Sequence, residues 1–145
     1  MGKHTRRITT GAWSRDGLLA LGGEDKVLTI SDETGDTMRT TPLRDSPAHI
    51  VFSEKKQDVR SQLLEGTVSC IINKKIMFLY HIDDPENPIE LAFQSKYGDL
   101  INYQWYGDGY IMIGFSLGYL IVISTHAKEI GTVKLKIIEF LNKRF

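Results

Sequence analysis

The sequence predicts an all-β fold of about three four-stranded sheets, arranged as the blades of an incomplete β-propeller and followed by a divergent C-terminal tail. Short runs of β-branched and aromatic residues recur along the whole chain, and turns rich in glycine and aspartate separate them. One pattern of tryptophan and glycine occurs twice, 92 residues apart. Every apolar stretch is too short or too interrupted to cross a bilayer as a helix.

The first blade is predicted over residues 6–41, where four apolar runs alternate with three turns. The Asp16-Gly17 pair marks a tight turn, because glycine adopts a positive φ without steric cost. Gly22-Gly23 and Thr34-Gly35 mark the two turns that follow. The strands of this blade are expected at 8–13, 18–21, 27–31 and 37–41.

The third blade is predicted over residues 99–131, because it repeats the first. In both blades a tryptophan stands four residues before a turn glycine, and four largely apolar residues and a second glycine follow. A separation of 92 residues corresponds to two blade periods of about 40 to 46 residues each. Equivalent positions on inner strands favour packing in the core over ligand stacking for both tryptophans. The predicted structural core of the repeat comprises Trp13, Gly17, Gly22, Trp105, Gly109 and Gly114.

A second blade over residues 47–94 fills the interval between these repeats. Its strands are expected at 48–53, 67–73, 75–82 and 89–93, with a tight turn at Asn73-Lys74-Lys75. The polar segment 54–66 replaces the Asp-Gly turn and is expected to be an exposed insertion loop.

Three blades leave one apolar sheet face uncovered at each end, because propellers close with four to eight blades. The sequence therefore predicts self-association through the open blade ends. The partial propeller is expected to span residues 1–131, with residues 132–145 as the divergent tail. Within the tail, Lys134–Ile138 alternates as a strand does, whereas a helical stripe would contain Leu135, Ile138, Leu141 and Phe145, so strand, helix and disordered chain all remain open.

No constellation of residues in the sequence points to catalysis, and we expect no enzyme activity, catalytic residue, cofactor or metal. Lys plus Arg and Asp plus Glu number 18 each, so the clustered positive charge that nucleic-acid binding requires is not expected. Cys70, the single cysteine, lies in an apolar run and is interpreted as a buried strand thiol. The acidic turn at Asp83-Asp84 lacks the spacing of a calcium loop. Residues 107–109 start like a dinucleotide-binding loop, but a strand follows instead of a helix. The histidines are scattered, without metal-ligand spacing, at His4, His49, His81 and His126.

Several segments resemble one known family. They are residues 2–9, residues 19–26, the stretch from Asn102 to Phe115, and Val122–His126. They are similar to the first propeller of the large WD-repeat subunit of intraflagellar transport complex A, which acts in retrograde transport in cilia. The resemblance covers residues 2–131, is weakest over 42–64, and ends at the tail.

The resemblance implies a non-enzymatic protein–protein interaction scaffold. Its implied partners are other complex A subunits, and its implied location is the cytoplasm, the cilium and the ciliary base, where it would serve cilium biogenesis, cargo trafficking and retrograde transport. The charge balance and the short apolar stretches predict no nucleic-acid partner and no direct membrane insertion. The resemblance assigns partner binding to no particular residue. Two alternatives remain: a truncated isoform or gene product without an independent transport role, and a propeller-face ligand binder.

Overall fold

The computed structural model describes residues 2–53, 67–107, 109–125 and 138–140. In these residues three antiparallel sheets of four strands each are formed, in the orders β1-β2-β3-β4, β5-β6-β7-β8 and β9-β10-β11-β12. The predicted all-β fold with three four-stranded blades is therefore confirmed. The strands are β1 Ile8–Trp13, β2 Leu19–Gly23, β3 Val27–Ser31, β4 Thr37–Pro42, β5 Pro47–Phe52, β6 Thr67–Ile72, β7 Ile76–His81, β8 Ile89–Ala92, β9 Leu100–Tyr106, β10 Tyr110–Phe115, β11 Leu120–Ser124 and β12 Ile138–Phe140, and a short 3₁₀ helix spans Ser95–Tyr97.

The final strand decides part of the ambiguity in the tail. β12 pairs antiparallel with β11, so residues 138–140 form the fourth strand of the third sheet and are not helical. The rest of the tail from residue 132, and the expected insertion loop at 54–66, lie outside the described residues. The boundary between a propeller portion and a tail at residues 131 and 132 stays a prediction.

The first and second sheets belong to one compact unit, and the third sheet belongs to another. In the first unit, alternate residues of β2 and β3 meet alternate residues of β5, β6 and β7, as the strand period of two requires. Their shared core contains Ala20, Leu28, Ile30, Ile50, Phe52, Val68, Cys70, Ile72, Phe78, Tyr80 and Ile82. In the second unit, Tyr97 packs against Phe115 and Tyr119, with ring centroids 5.4 Å and 4.9 Å apart.

The residues in the hairpin turns have the positive φ angles that tight turns require. Gly17 and Gly109, the paired turn glycines of the repeat, have φ angles of 81° and 80°. At the β6–β7 hairpin, Asn73 and Lys74 have φ angles of 51° and 58°, and the Lys75 N–H donates to the Ile72 carbonyl. Two successive residues of positive φ give a type I′ turn, whose twist matches that of the flanking strands.

The two repeated tryptophans differ in burial. Trp105 is 4% exposed, whereas Trp13 is 64% exposed. The expectation that Trp13 packs in the core is therefore wrong for this chain. Trp13 stands opposite Leu19 on the face of the first sheet that points away from the second sheet, and Trp105 stands opposite the fully buried Ile111. Sequence equivalence places both residues at the same point of a sheet but does not determine whether that face is covered.

The two repeated strand glycines also differ in surroundings. A Cβ atom at Gly22 would lie 2.4 Å from Cγ of Pro47 and 2.9 Å from Cδ1 of Ile50. Among the residues that the structure describes, a Cβ atom at Gly114 would approach only the Asn102 carbonyl oxygen, at 3.9 Å. The first sheet therefore needs a glycine at position 22 for the second sheet to approach, and no described neighbour requires one at position 114.

We predict unequal effects of tryptophan truncation. Trp105→Ala should lower the free energy of unfolding by about 3–5 kcal/mol, because it leaves a large cavity in the third sheet's core. Trp13→Ala should change it by less than about 1 kcal/mol, as at other exposed sites. Urea denaturation followed by circular dichroism measures both. An unchanged unfolding curve for Trp105→Ala would contradict the core assignment.

Alanine substitution of the two strand glycines should have opposite effects on stability. Gly22→Ala forces the first two sheets apart and should cost about 1–3 kcal/mol, as overpacking does. Gly114→Ala meets no described neighbour closer than 3.9 Å and should be neutral or stabilise by up to about 1 kcal/mol, because alanine loses less backbone entropy on folding. Thermal unfolding of both variants provides the comparison, and equal losses of stability would refute the difference in packing.

Candidate interaction surfaces

The first candidate surface is the outer face of the first sheet, which we name the Trp13 face. Pairing of β1 with β2 places Ile8, Trp13, Leu19 and Leu21 on this face. Ile8 is 47% exposed, Trp13 is 64% exposed, and the two leucines are half-buried. A contiguous exposed apolar patch on a folded protein typically marks an interaction site.

The N-terminal segment covers the adjoining part of the same sheet through a buried histidine. The Nδ1 atom of His4 lies 3.0 Å from both carboxylate oxygens of Asp25, and its Nε2 atom lies 2.9 Å from Oγ1 of Thr29. Thr29 is opposite Leu21, and its side chain therefore shares the face that bears Trp13. The His4 side chain is 1% exposed, so this network fixes the segment before β1 against β3.

Asp25 holds this network as an ionised group. Burial of Asp25 by itself raises the pKa of its carboxyl group. The hydrogen bond from His4, the backbone N–H of Thr5 at 3.1 Å and the attraction of His4 outweigh burial, and the pKa of Asp25 is lowered overall. The carboxylate is therefore charged at neutral pH and orients the His4 ring.

Sequence reasoning missed this network, because it treated His4 as one of four scattered histidines. Two residues could have indicated it. Asp25 lies in the turn between β2 and β3, and the hydroxyl residue Thr29 lies four positions later, within β3. The histidine itself precedes the first strand and carries no spacing signal. The arrangement joins three elements of one sheet and serves to hold that sheet's edge in place.

The second candidate surface lies on the third sheet, and we name it the Gly114 face. Register places Tyr106, Tyr110, Met112 and Gly114 on it, beside the exposed Gln104. The rings of Tyr106 and Tyr110 stack with centroids 5.7 Å apart and an interplanar angle of 27°. The two tyrosines and Met112 are 40%, 37% and 38% exposed. Aromatic and methionine side chains are enriched at the centres of protein interfaces.

The joint between the first and second sheets shows how one such face is covered. Phe52, the last residue of β5, belongs to the core that includes Ala20 of β2. Two hydroxyl groups of β1 bond to the backbone of β5: Thr10 Oγ1 accepts from the Ile50 N–H at 3.0 Å, and Thr9 Oγ1 donates to the Pro47 carbonyl at 3.1 Å. Apolar contact and directional hydrogen bonds together fix the two sheets.

The six predicted repeat residues do not form one site. The structure distributes them between the first and third sheets, three to each, at strand ends and turns. Phe52 was missed as a member of this set. The sequence pattern that indicates it is Phe52-Ser53, an aromatic residue followed by serine at the end of the first strand of the second blade, as Trp13-Ser14 is in the first blade.

The structure offers little chemistry for catalysis in the described ranges. No group of three or more His, Cys, Asp or Glu side chains could hold a metal ion there. Burial raises the pKa of the Cys70 thiol to about 12, so the thiolate that a nucleophile requires is scarcely populated at neutral pH. No helix within these ranges is long and apolar enough for a membrane crossing.

A WD40 domain is among the solved structures that share this fold. The chain superposes on a chain of the mitotic checkpoint complex with a TM-score of 0.68, covering 94% of this chain and 40% of that one at 16% identity. It also superposes on the C-terminal WD40 domain of Sif2 with a TM-score of 0.68, covering 100% of this chain and 39% of that one at 12% identity. At such low identity these similarities establish the fold alone.

Curated relatives share much more sequence. The chain is 52% identical over 131 residues to mouse WD repeat-containing protein 19, and 48% identical over 131 residues to the human protein of that name. It is 34% identical over 140 residues to the Caenorhabditis elegans WD repeat-containing protein dyf-2. The alignments cover 90%, 90% and 97% of this chain but only 10% of each relative.

The chain thus corresponds to about one tenth of the length of these relatives. The family described as the WDR19 first beta-propeller matches residues 1–143, which extends past residue 131, where the motif resemblance ends. Three findings indicate the same fold: the three four-stranded sheets, the similarity to a WD40 domain, and the match to this family. The chain belongs to the family of the WDR19 first β-propeller.

Proposed function

We propose that this chain is part of a subunit of intraflagellar transport complex A and acts there as a non-enzymatic scaffold in retrograde ciliary transport and cargo trafficking. The observation that carries the proposal is 52% identity to mouse WD repeat-containing protein 19 across 90% of the chain. A WD-repeat propeller with exposed apolar faces supports a role in protein interaction. The proposed partners are other complex A subunits, in the cytoplasm, at the ciliary base and within the cilium.

Two structural features support binding over catalysis. The Trp13 face and the Gly114 face present apolar side chains with exposures between 37% and 64%. Among the described residues no group of three or more His, Cys, Asp or Glu side chains could hold a metal ion, and the buried pair of His4 and Asp25 joins the N-terminal segment to the first sheet. Protein recognition needs only such surfaces, whereas catalysis needs convergent polar groups in defined geometry.

We predict that this chain can replace the matching stretch of its mouse relative. A chimera of mouse WD repeat-containing protein 19, with the aligned 131 residues taken from this chain, is expressed in ciliated cells that lack the mouse protein. The chimera should enter cilia and co-purify with complex A subunits as the mouse protein does. The same chimera carrying Trp105→Ala, which removes a buried core residue, is the matched control and should lose both properties. A folded, stably expressed chimera that recovers no complex A subunit would contradict the proposed function.

The chain expressed alone decides whether it has an independent role. Because it spans a tenth of its relatives, the alternative is a truncated product that folds but joins no complex. Affinity capture of the tagged chain from ciliated cells should recover complex A subunits if this segment alone provides contacts. Capture by the chimera but not by the chain would assign the transport role to the longer protein only.

A further inference from the structure

Thr9 occupies an irregular position in the first strand of the first sheet. Ile8 pairs with Gly23 and Thr10 pairs with Gly22, so Thr9 is the extra residue of a β-bulge between the two pairs. Among the described strands, β1 pairs with β2 alone and forms an edge of its sheet. Thr9 is exposed, one residue after this edge begins. A bulge at a sheet edge re-aims its side chain, and here it directs a hydroxyl group towards a second sheet.

The hydroxyl group of Thr9 links the first two sheets. Its Oγ1 atom donates to the carbonyl oxygens of Gly22 and Pro47, at 3.3 Å and 3.1 Å. Gly22 belongs to β2, and Pro47 is the first residue of β5 in the second sheet. A phosphate ester on Oγ1 would have no proton to donate, and it would place about two negative charges beside two carbonyl oxygens at neutral pH. Modification of this one hydroxyl would therefore break a polar link of the joint.

Two exposed arginines, Arg6 and Arg7, stand three and two positions before Thr9, outside any strand. Of the adjacent pairs of basic residues in the sequence, this is the only one that is followed, after one intervening residue, by a serine or threonine. Arg7 forms an ion pair with Glu24, with Nη2 and Oε1 2.6 Å apart, but the two side chains are 77% and 38% exposed. An exposed ion pair contributes little free energy, so both guanidinium groups are available to an acidic partner.

We propose that Thr9 is phosphorylated by a protein kinase with an acidic substrate groove, and that the phosphate loosens the joint between the first and second sheets. Carboxylates of such a groove would pair with Arg6 and Arg7 and so select this hydroxyl by charge. In the reaction, Thr9 Oγ1 forms a bond to the γ-phosphorus of ATP, the bond from that phosphorus to the β–γ bridging oxygen breaks, and ADP leaves. The hydroxyl proton passes to a base of the kinase. This inference concerns the isolated chain and does not rest on the ciliary role.

Phosphorylation of the purified chain tests the site. The folded chain is incubated with the catalytic subunit of cAMP-dependent protein kinase, Mg²⁺ and γ-labelled ATP, and the modified residue is located by mass spectrometry. The label should appear on Thr9, and Thr9→Val should abolish it. Thr5→Val is the matched control, because Thr5 is an exposed threonine of the same segment without the arginine pair before it, and it should leave the labelling unchanged.

Two further variants test the role of the arginines and guard against loss of folding. Arg6→Gln should lower kcat/KM for labelling about tenfold or more, because it removes one charge that the kinase groove binds. Arg15→Gln removes an equally exposed arginine outside the pair and should have no effect. Circular dichroism verifies that each variant is folded. If Thr9→Val is not, Thr9→Ser keeps the hydroxyl group and should be labelled at position 9.

The effect of the phosphate on the joint is measured on the labelled chain. Its melting temperature should fall by about 5 °C or more, and by more than in Thr9→Val, since the ester adds charge as well as removing the donor. Amide hydrogen exchange in β5 should become faster. Label on residues other than Thr9, or labelling of the heat-unfolded chain alone, overturns the proposal. Complete phosphorylation of Thr9 with unchanged melting and exchange overturns the proposed effect on the joint.

Discussion

The close approach of the second sheet to Gly22 is the contact on which the first unit depends. With Pro47 and Ile50 occupying the space where a side chain would be, β5 lies directly against β1 and β2. This closeness lets the hydroxyl groups of Thr9 and Thr10 reach the β5 backbone, and it seals the core around Ile30 and Cys70. Neither sheet could bury this face alone, because an isolated four-stranded sheet exposes both of its faces to water.

The two faces that meet at this contact differ in their side chains. The first sheet contributes Ala20 and Gly22 beside Leu28 and Ile30, and the second sheet contributes Phe52 at the end of β5. Exposure of Trp13 is a consequence of which face of the first sheet it occupies.

The buried polar network of the first sheet lies outside its apolar contact with the second sheet. The ionised Asp25 orients His4, and His4 reaches Thr29, so the segment before β1 is held against β3 by hydrogen bonds in a nearly dry environment. Positive φ angles at Gly17, Asn73 and Lys74 allow the tight hairpins that keep sequential strands paired. These local features shape single sheets, whereas the joint at Gly22 connects two of them.

Alternation of apolar residues and glycine-marked turns are local properties of the chain, so the sequence predicts the number of sheets and the strands of the first two, whereas β12 lies in the segment that was expected to be a tail. The strands of the first two sheets form within two residues of their expected ends. Tertiary packing accounts for three further features: Trp105 is buried and Trp13 is exposed, Gly22 is the strand glycine that described neighbours require, and His4 meets Asp25. Each of these depends on residues distant in sequence, and a repeat pattern describes a sheet without describing what lies against its faces.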